Sequence, residues 1–375
     1  MVSHPSYNSA PASTDAADAT DATKPGSIAL EQHAVQAGIR QAGINPNHWY
    51  AVAWSKSLAV GQAIGVVVWQ QKIALYRDRS GQVYALDDAC PHRGVELSRG
   101  KMMGDRLACR YHGWEFDGQG QFQAIPYLPP TQKLPCARVQ SYRAADRYGI
   151  IWVFPGDQRL ADQVPLPEIP EYDDPQWLAV PVTGYFQAHF SVCNENSMDV
   201  FHGFLHEELQ GWFDPVLLNL EDTGEAIVAN YRVSYKGQMA KLLGFTESAD
   251  EVTTKTVTVQ YRYPHFFSQL EGVSSLYLMR LPVGPRESRS FSLFFVRLGL
   301  PGWLVQALRP WVARVIEQKI FMRFLNQDIE MMESEQRAID RDPQRRYVEI
   351  NPAIIAVQRL ILRQYQQFLA ERSTP

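Results

Sequence analysis

Residues 90–112 read CPHRGVELSRGKMMGDRLACRYH, and this stretch decides the fold of the N-terminal half of the chain. It holds a Cys-x-His pair, Cys90 and His92, and a Cys-x-x-His pair, Cys109 and His112, with sixteen residues between the pairs. A glycine closely follows each pair, which predicts that each pair lies at the tip of a loop between strands. Two such loops can close around one metal group.

The chemistry of these four side chains favours one kind of metal group. Two soft thiolates and two imidazoles are the ligand set of a Rieske [2Fe–2S] centre, in which two histidines replace two cysteines on one iron. Neutral imidazoles raise the reduction potential above that of an all-cysteine cluster, so the centre can accept and pass on single electrons. A tetrahedral Cys2His2 zinc site is the rival interpretation, although zinc sites more often use Cys-x-x-Cys pairs. A third interpretation treats the four residues as unconnected parts of a core.

Short strand-like runs surround the two pairs from Trp49 to about Gly156. Turns containing glycine and aspartate separate the runs. We therefore predict a small all-β domain, the Rieske [2Fe–2S] domain, over residues 47–160. Upstream, residues 1–28 are small, acidic and proline-containing, which predicts a disordered tail, and residues 29–46 have the apolar spacing of an N-terminal helix.

The composition of the whole chain is that of a soluble globular protein. Of its 375 residues, 45% are hydrophobic and 20% are charged, and the net charge is -4. The absence of a strongly basic stripe argues against a nucleic-acid partner. Four cysteines are too few for a disulfide framework and favour a reducing, cytoplasmic location. Cys136 and Cys193 match no ligand pattern and are interpreted as small buried hydrophobes.

A proline- and acid-rich connector leads into a second domain, which we place at residues 161–375. Four long β-patterned runs between residues 225 and 300 predict an antiparallel sheet: AIVANYRVSY, VTTKTVTVQYRY, SSLYLMRLPV and SRSFSLFFVRL. Residues 305–338 and 353–371 have helical patterns, with a kink or break expected at Pro310. A sheet with helices segregated to one side is an α+β arrangement.

The second motif is NENSMDVFHGFLH at residues 194–206, in which His202 and His206 stand four apart. On a helix, residues four apart share a face, so both imidazoles can reach one metal ion. Two histidines and one carboxylate form the facial triad of non-haem iron(II) oxygenases, which leaves positions open for O2 and a substrate. A pair of hydrogen-bonded structural histidines is the alternative, but a cluster upstream implies an electron acceptor.

Both motifs resemble those of the Rieske non-haem iron oxygenases. The resemblance implies the alpha (oxygenase) component of such an enzyme, near the branch that contains chlorophyllide a oxygenase and O-demethylating monooxygenases. The implied fold is α+β, a small all-β Rieske domain followed by a helix-grip-like antiparallel sheet domain with C-terminal helices. The similar stretches are NHWYAVAW (47–54), DACPHRG (88–94), CRYHGW (109–114), YGIIWVFPG (148–156) and ENSMDVFH (195–202).

The resemblance also implies roles for two carboxylates. In that family the position of Asp199 is not a ligand but links a cluster histidine, usually of a neighbouring subunit, to an iron-bound histidine. Asp328, Glu333 and Gln336 match the spacing of the family's C-terminal helix, so Asp328 would be the third iron ligand after His202 and His206. Glu330 is its substitute, and a solvated acidic helix face is the alternative.

The spacing of the two histidines departs from the family. Most members have four residues between them, and this chain has three. Either the local helix is regular here where theirs is irregular, or Glu207 or another neighbour adjusts the geometry.

These parts predict an oxygenase in which an external donor reduces the cluster and the cluster feeds electrons to a mononuclear iron(II) that activates O2. The product would be a hydroxylated, diol or demethylated compound. No G-x-G-x-x-G fingerprint appears at a strand–helix junction, so the chain needs a ferredoxin or reductase as its electron donor. The resemblance further implies a homotrimer, because the two metal sites of one chain of that fold are too far apart for fast electron transfer.

The expected substrate is a small apolar compound, ring-bearing or isoprenoid-like. Its pocket is expected under the predicted sheet, which supplies Leu276, Leu278, Phe294 and Phe295. No stretch reaches the roughly 18 uninterrupted apolar residues of a membrane span. Residues 303–314 permit two interpretations, a packed helix or a basic amphipathic helix on a membrane surface, and the second adds a peripheral membrane contact to the cytoplasmic location.

Two other classes of function stay open. One is a Rieske electron-transfer protein fused to a ligand-binding domain whose histidines are structural, without a catalytic iron. The other is a ligand-binding protein with a sheet-and-helix cavity, in which metals only stabilise the fold.

Overall fold

Three antiparallel sheets, with helices packed on the largest, form the part of the chain that the computed structural model describes. That part comprises residues 35, 38–129, 131–133, 138–206, 212–237, 247–248, 250–297, 301–345 and 347–373. The predicted tail, residues 1–28, and most of the predicted helix at residues 29–46 lie outside it. At the described end of that helix, Gly38 and Ile39 are helical and the chain has left the helix by Ala42.

Ten strands build the N-terminal unit. Six of them form one sheet in the order β1-β10-β9-β4-β3-β2, and the other four form a small sheet in chain order. The predicted all-β character of this half is confirmed. The strands are β1 (Tyr50–Trp54), β2 (Ala63–Val68), β3 (Gln71–Arg77), β4 (Val83–Asp87), β5 (Lys101–Met103), β6 (Arg106–Ala108), β7 (Glu115–Phe116), β8 (Phe122–Ala124), β9 (Ser141–Arg147) and β10 (Ile150–Phe154).

Continuous apolar runs produce the central strands of this unit. All of β10 is buried, and so are the four residues from Ile73 to Tyr76 in β3, as expected for strands covered on both faces. Polar turns separate such runs. Between β3 and β4 the Asp78 carboxylate accepts hydrogen bonds from the N–H groups of Ser80 and Gln82, each at 2.9 Å, which holds the chain in a tight turn.

The C-terminal half contains a seven-stranded sheet in the order β11-β17-β16-β15-β14-β13-β12. The four predicted runs correspond to β13, β14, β16 and β17, so the predicted α+β class is confirmed. The elements of this half are β11 (Trp177–Phe186), α1 (Phe190–Met198), β12 (Trp212–Asp222), β13 (Ala226–Tyr235), β14 (Thr253–Arg262), β15 (His265–Leu270), β16 (Ser274–Gly284), β17 (Glu287–Arg297), α2 (Gly302–Ile316), α3 (Met322–Arg341) and α4 (Pro352–Ser373).

The register of β16 and β17 separates the residues that were predicted to line one pocket. Leu276 pairs with Phe294, and Arg280, two positions beyond Leu278, reaches Ser197 of α1 on the same face at 2.7 Å. Phe295 lies on the opposite face, where its ring meets Tyr277. Its predicted place beside the other three is therefore wrong, because successive residues of a strand point to opposite faces.

The turn between β2 and β3 joins the two halves. Its two central residues, Trp69 and Gln70, both have positive φ, as a tight two-residue hairpin requires. Their N–H groups donate to the carbonyl oxygens of Pro282 and Val283 in β16, each at 2.7 Å. The N-terminal sheet is thus tied to the end of β16, an interior strand of the seven-stranded sheet.

The helical region after β17 differs from the prediction at one point. Of the kink or break expected at Pro310, the break is absent, since α2 continues through this exposed residue. The regular helix is instead interrupted by one π-helical segment, Glu317–Phe321, before α3 begins. No helix among the described residues has both the length and the apolar character needed to cross a bilayer.

Candidate metal centres

The two Cys–His pairs lie in two loops with the same backbone hydrogen bonds. The Cys90 N–H donates to the carbonyl of Val95, and the Cys109 N–H donates to the carbonyl of Trp114, each at 2.9 Å. In each loop a glycine four residues after the cysteine has φ +69 and donates back to the cysteine carbonyl. A side chain disfavours this left-handed conformation, which explains the glycine after each pair.

This shared turn brings the four candidate ligands together. Both cysteines are buried and both histidines stand at the loop tips, with the ring centroids of His92 and His112 4.6 Å apart. His92 also stacks on Trp114 at 4.6 Å, nearly parallel. Among the described residues, the buried Nδ1 atom of His92 has no hydrogen-bond partner. A buried nitrogen without a partner costs free energy unless a metal ion uses it, so these residues fit a [2Fe–2S] group.

The pKa shifts of the candidate ligands show which protons bound iron would have to displace. Burial, together with the adjacent Cys109 thiol, raises the pKa of Cys90 to about 11. Partial desolvation, with His92 and Arg93 nearby, lowers the pKa of His112 and favours the neutral imidazole that binds metals. Bound iron must therefore displace the proton of at least one thiol, as metal ligation by cysteine requires.

The second motif was predicted to be helical throughout, but it is not one continuous α-helix. The α-helix α1 ends at Met198, Asp199 adopts an extended conformation with ψ 96, and a 3-10 helix follows at Val200–His206. A 3-10 helix has about three residues per turn, so His202 and His206 do not lie one above the other. Their rings instead meet edge to face, with centroids 5.2 Å apart and an angle of 76° between the planes. The local structure is irregular despite the shorter spacing.

Asp328 of α3 faces both histidines. Its Oδ1 atom is 3.1 Å from Nε2 of His206 and 3.6 Å from Nε2 of His202. One possible ligand atom from each of the three residues lies within 4.8 Å of the others. The substitute ligand Glu330 is exposed, and two residues further along α3 it points away from this group. Two imidazoles and one carboxylate at these distances fit a mononuclear iron(II) ion.

Gln327 is a member of the site that the sequence motif did not reveal. Nδ1 of His206 donates to Oε1 of Gln327 at 2.8 Å, which leaves Nε2 for a metal ion. Burial disfavours the charged ring, but the hydrogen bonds to Asp328 and Gln327 outweigh it and raise the pKa of His206. A proton therefore competes with metal at this ring.

Replacing Gln327 with leucine should weaken iron(II) binding by about 10–100-fold, the usual cost of losing such a partner. The reason is that Nδ1 of His206 would lose its acceptor and the ring its fixed orientation. Glu at the same position keeps an acceptor and is the matched control. Anaerobic titration of iron(II) into protein that retains its cluster measures both, and equal affinities for the leucine variant and the wild type would contradict this role.

Asp199 lies next to the site, but among the described residues no hydrogen bond joins its side chain to His202, although the resemblance implies such a link. Its Oδ1 atom accepts hydrogen bonds from the Phe201 N–H and from Nδ2 of Asn351, each at 3.0 Å. Within the described part of the chain, the buried Nδ1 of His202 has no partner. Asn351 was not singled out in the sequence, because it lies 152 residues from Asp199 and belongs to no motif. Glu207 and Cys136 lie outside the described residues.

Arg40 ties the segment before β1 to this region. Its guanidinium group donates to both carboxylate oxygens of Glu195 on α1 and to Glu335 on α3, the latter at 2.9 Å. The Glu195 side chain is largely buried, and a buried carboxylate is stable only with such a partner. This pairing holds α1 and α3, and therefore the two halves of the histidine–aspartate group, against each other.

Two family models match the chain, one for each half. The model described as Rieske [2Fe-2S] domain matches residues 48–143. The model described as vanillate O-demethylase oxygenase C-terminal domain matches residues 186–366. The first range contains both Cys–His loops, and the second contains the two histidines and Asp328.

Two known proteins with similar sequences are oxygenases by name. The 4beta-methylsterol monooxygenase of Methylococcus capsulatus is 32% identical over 90% of this chain and 93% of its own length. The vanillate O-demethylase oxygenase subunit of a Pseudomonas species is 35% identical over 42% of this chain and 43% of its own length.

A solved structure has the same fold. The crystal structure of dicamba monooxygenase bound to 3,6-dichlorosalicylic acid has a TM-score of 0.70 and covers 88% of this chain and 99% of its own. At 23% sequence identity this similarity concerns the fold alone.

Proposed function

The chain belongs to the Rieske non-haem iron oxygenases, and on that premise we propose that it oxidises a methyl-bearing polycyclic substrate of the isoprenoid type. It is an oxygenase whose cofactors are a Rieske [2Fe–2S] cluster and a mononuclear iron. The observation that carries the proposal is the presence, in one chain, of the paired Cys–His loops and the histidine–aspartate group. An electron carrier without catalytic iron has no use for the second group.

We assign the cluster to Cys90, His92, Cys109 and His112. The buried thiols and the adjacent histidine rings support this assignment. When bound, the cluster supplies single electrons and the mononuclear iron activates O2. Trp114 keeps the His92 ring in place by stacking on it.

We assign the mononuclear iron to His202, His206 and Asp328. Gln327 orients the His206 ring, and Asn196 donates to Oδ1 of Asp328 at 3.4 Å, which helps to keep the carboxylate turned toward the histidines. Insertion of one oxygen atom converts a C–H bond to C–OH and consumes O2, two electrons and two protons, with release of water. The two electrons must come from an external ferredoxin or reductase, since the chain carries no nicotinamide or flavin fingerprint.

The substrate class rests on the relative that matches nearly the whole chain, whose name specifies a methylsterol. The face of the sheet toward α1 offers the apolar side chains of Leu276, Leu278 and Phe294. Burial of a fused ring system against such a face is favourable at about 25 cal/mol per Å² of apolar surface.

The test is a single-turnover reaction of the pre-reduced holoenzyme with a 4-methylsterol and labelled O2. The expected result is one labelled oxygen atom in an oxidised methyl group and no product from the same sterol without that methyl group. Product from an aromatic methyl ether, and none from the methylsterol, would overturn the proposed substrate class but not the oxygenase activity.

A homotrimer is proposed from surfaces near the two assigned centres. Around the cluster loops, Tyr111 and Tyr127 are exposed, and Arg93 and Arg110 give the tip a positive charge. Near Asp199 lie Phe204, Val348 and Ile350, each 85% exposed, and a cavity of about 180 Å³ whose lining includes Glu195, Glu335 and Glu349. A basic tip and an acidic apolar surface can pair between neighbouring copies. Sedimentation equilibrium should give the mass of three chains, and the mass of one chain would contradict the trimer.

Asp199 is proposed as the electron bridge between a neighbour's cluster histidine and His202. Replacing it with asparagine should slow cluster reoxidation by O2 in the presence of substrate by roughly 10–100-fold, the usual size of effect for groups that surround a metal site, because a neutral amide holds the hydrogen bonds from Phe201 and Asn351 less strongly than the carboxylate does. Iron content should not change. Stopped-flow absorbance of the cluster measures the rate, with Asp173→Asn, an exposed acid away from the site, as the matched control. An unchanged rate in the Asp199 variant would remove the residue from the electron path.

We propose a cytoplasmic location with contact to a membrane surface. An apolar polycyclic substrate partitions into the bilayer, so an enzyme that acts on it gains from being held there. The helix α2 is the described element best suited to such a contact.

A further inference from the structure

One side of α2 exposes large apolar side chains to solvent. Trp303 is 74% exposed and Trp311 is 70% exposed, and Leu308 and Val315 lie on the same side. The adjoining side packs Val305, with Val312 and Ile316, against the buried residues of β11. The apolar stripe is therefore not the face that attaches the helix to the protein. We define these four exposed residues as the α2 stripe.

The charge around the α2 stripe is positive. The segment of residues 302–321 contains three basic residues, Arg309, Arg314 and Lys319, and one acidic residue, Glu317. Within the described part of the chain, none of the three cations forms an ion pair. Arg314, three residues after Trp311, lies on the same side of the helix as this tryptophan. A cation beside exposed tryptophans is a feature of a helix that lies in the interface of an anionic bilayer, where the indole ring sits at the headgroup level. Each cation adds about 1 kcal/mol of attraction to such a surface.

Contact with a second copy of this chain is less favourable. In a two-fold contact the same surface meets itself, so Arg314 and its neighbours would face their own copies and repel one another. An anionic lipid surface instead offers opposite charge to every one of them. The positive charge of the segment therefore favours an anionic lipid surface over a second copy of the chain as the partner of the α2 stripe.

We propose that the α2 stripe docks this oxygenase on anionic membrane lipids, with Trp303 and Trp311 inserted among the headgroups. This inference rests on the proposed function in one respect, since it explains how an apolar substrate reaches the enzyme. The docking helix is joined to α3 by the π-helical segment, and Asp328 lies six residues into α3, about 9 Å along its axis. Membrane contact and iron site are thus on consecutive helices.

The experiment measures flotation of the purified holoenzyme with vesicles of phosphatidylcholine and phosphatidylglycerol, and with phosphatidylcholine alone. The wild type should bind the anionic vesicles and lose most of that binding at high salt. Trp303→Ser/Trp311→Ser should lower the partition coefficient by about tenfold or more, because two large apolar contacts are removed. Arg309→Gln/Arg314→Gln/Lys319→Gln should lower it roughly fivefold for each charge removed, on anionic vesicles only.

Two matched controls carry substitutions at exposed positions elsewhere. Val60→Ser/Val252→Ser removes exposed apolar groups, and Lys56→Gln/Arg79→Gln/Arg138→Gln removes three exposed charges. Both should bind vesicles as the wild type does. Equal vesicle binding by the wild type and the tryptophan variant would overturn the inference. If the tryptophan variant changed the mass of the oligomer but not vesicle binding, the inference would be overturned as well. The assay contains no substrate, O2 or reductant, so its failure leaves the oxygenase assignment untouched.

Discussion

Replacing Asp328 with alanine should abolish substrate-dependent O2 uptake, lowering its rate by about a thousandfold or more. The carboxylate is the only anionic member of the proposed iron triad, and its Oδ1 atom lies 3.1 Å from Nε2 of His206 and 3.6 Å from Nε2 of His202. Without it two neutral imidazoles remain, and they hold iron(II) too weakly for turnover. Loss of a metal that contributes several kcal/mol to the transition state corresponds to an effect of this size.

Glu330→Ala is the matched control for this prediction. It removes an acid from the same helix, but this side chain is exposed and does not face the histidines. Its O2 uptake and its iron content should equal those of the wild type. Normal activity in the Asp328 variant, or loss of activity in the Glu330 variant, would contradict the assignment of the third ligand.

The Cys109→Ser variant should lose the [2Fe–2S] cluster and, with it, all reductase-dependent turnover. A serine hydroxyl is a poor replacement for a thiolate on iron, and the remaining side chains of the two loops cannot complete the set of four. The loops should also lose stability, because metal binding contributes to the folding free energy of a site whose ligand residues are not held in place without the metal. Visible absorbance and acid-labile sulfide measure the loss of the cluster, reductase-dependent O2 uptake measures the loss of turnover, and the thermal unfolding midpoint measures the loss of stability.

Cys193→Ala is the cysteine control. Burial raises the pKa of Cys193 to about 11, the same value as for Cys90, so the titration of the thiols does not distinguish a ligand from a core residue. The position of the cysteine does distinguish the two, because Cys193 lies in α1 and is packed among Val180, Val192 and Met332. The alanine variant should therefore retain the full cluster content, and a loss comparable to that of Cys109→Ser would contradict this distinction.

The cluster loops could be predicted from the sequence because their structure is local. Each cysteine bonds to the carbonyl five residues later in the chain, and each turn needs a glycine with positive φ, so the chemistry and the turn appear together in one short motif. The first loop joins β4 of the large sheet to β5 of the small sheet, and the second joins the paired strands β6 and β7. Local patterns also explain why β10, a continuous apolar run, and β13, an alternating one, were predicted correctly.

The histidine–aspartate group could be predicted only in part. The spacing of His202 and His206 suggested an α-helix, but the extended conformation of Asp199 ends α1 and leaves the two rings on a 3-10 segment. That break depends on tertiary contacts, including the hydrogen bond from Asn351, which no local pattern encodes. Gln327 was missed for the same reason, since its contact to His206 spans 121 residues.

The strands that escaped prediction have identifiable causes. β12 contains Pro215 and two register irregularities against β13, which disrupt the alternation of apolar and polar residues. β15 has six residues and follows β14 after a turn of two residues, too short to stand out from its neighbour. The misplacement of Phe295 arose because a list of apolar residues does not specify which face of the sheet each one occupies.

The most direct test counts iron and acid-labile sulfide per chain in anaerobically reconstituted protein, with an EPR spectrum of the reduced sample, for the wild type and for His202→Ala. We expect about three irons in the wild type and about two in the variant, with the same cluster signal in both. Two irons in both proteins would contradict the mononuclear site and leave an electron-transfer protein with a binding domain.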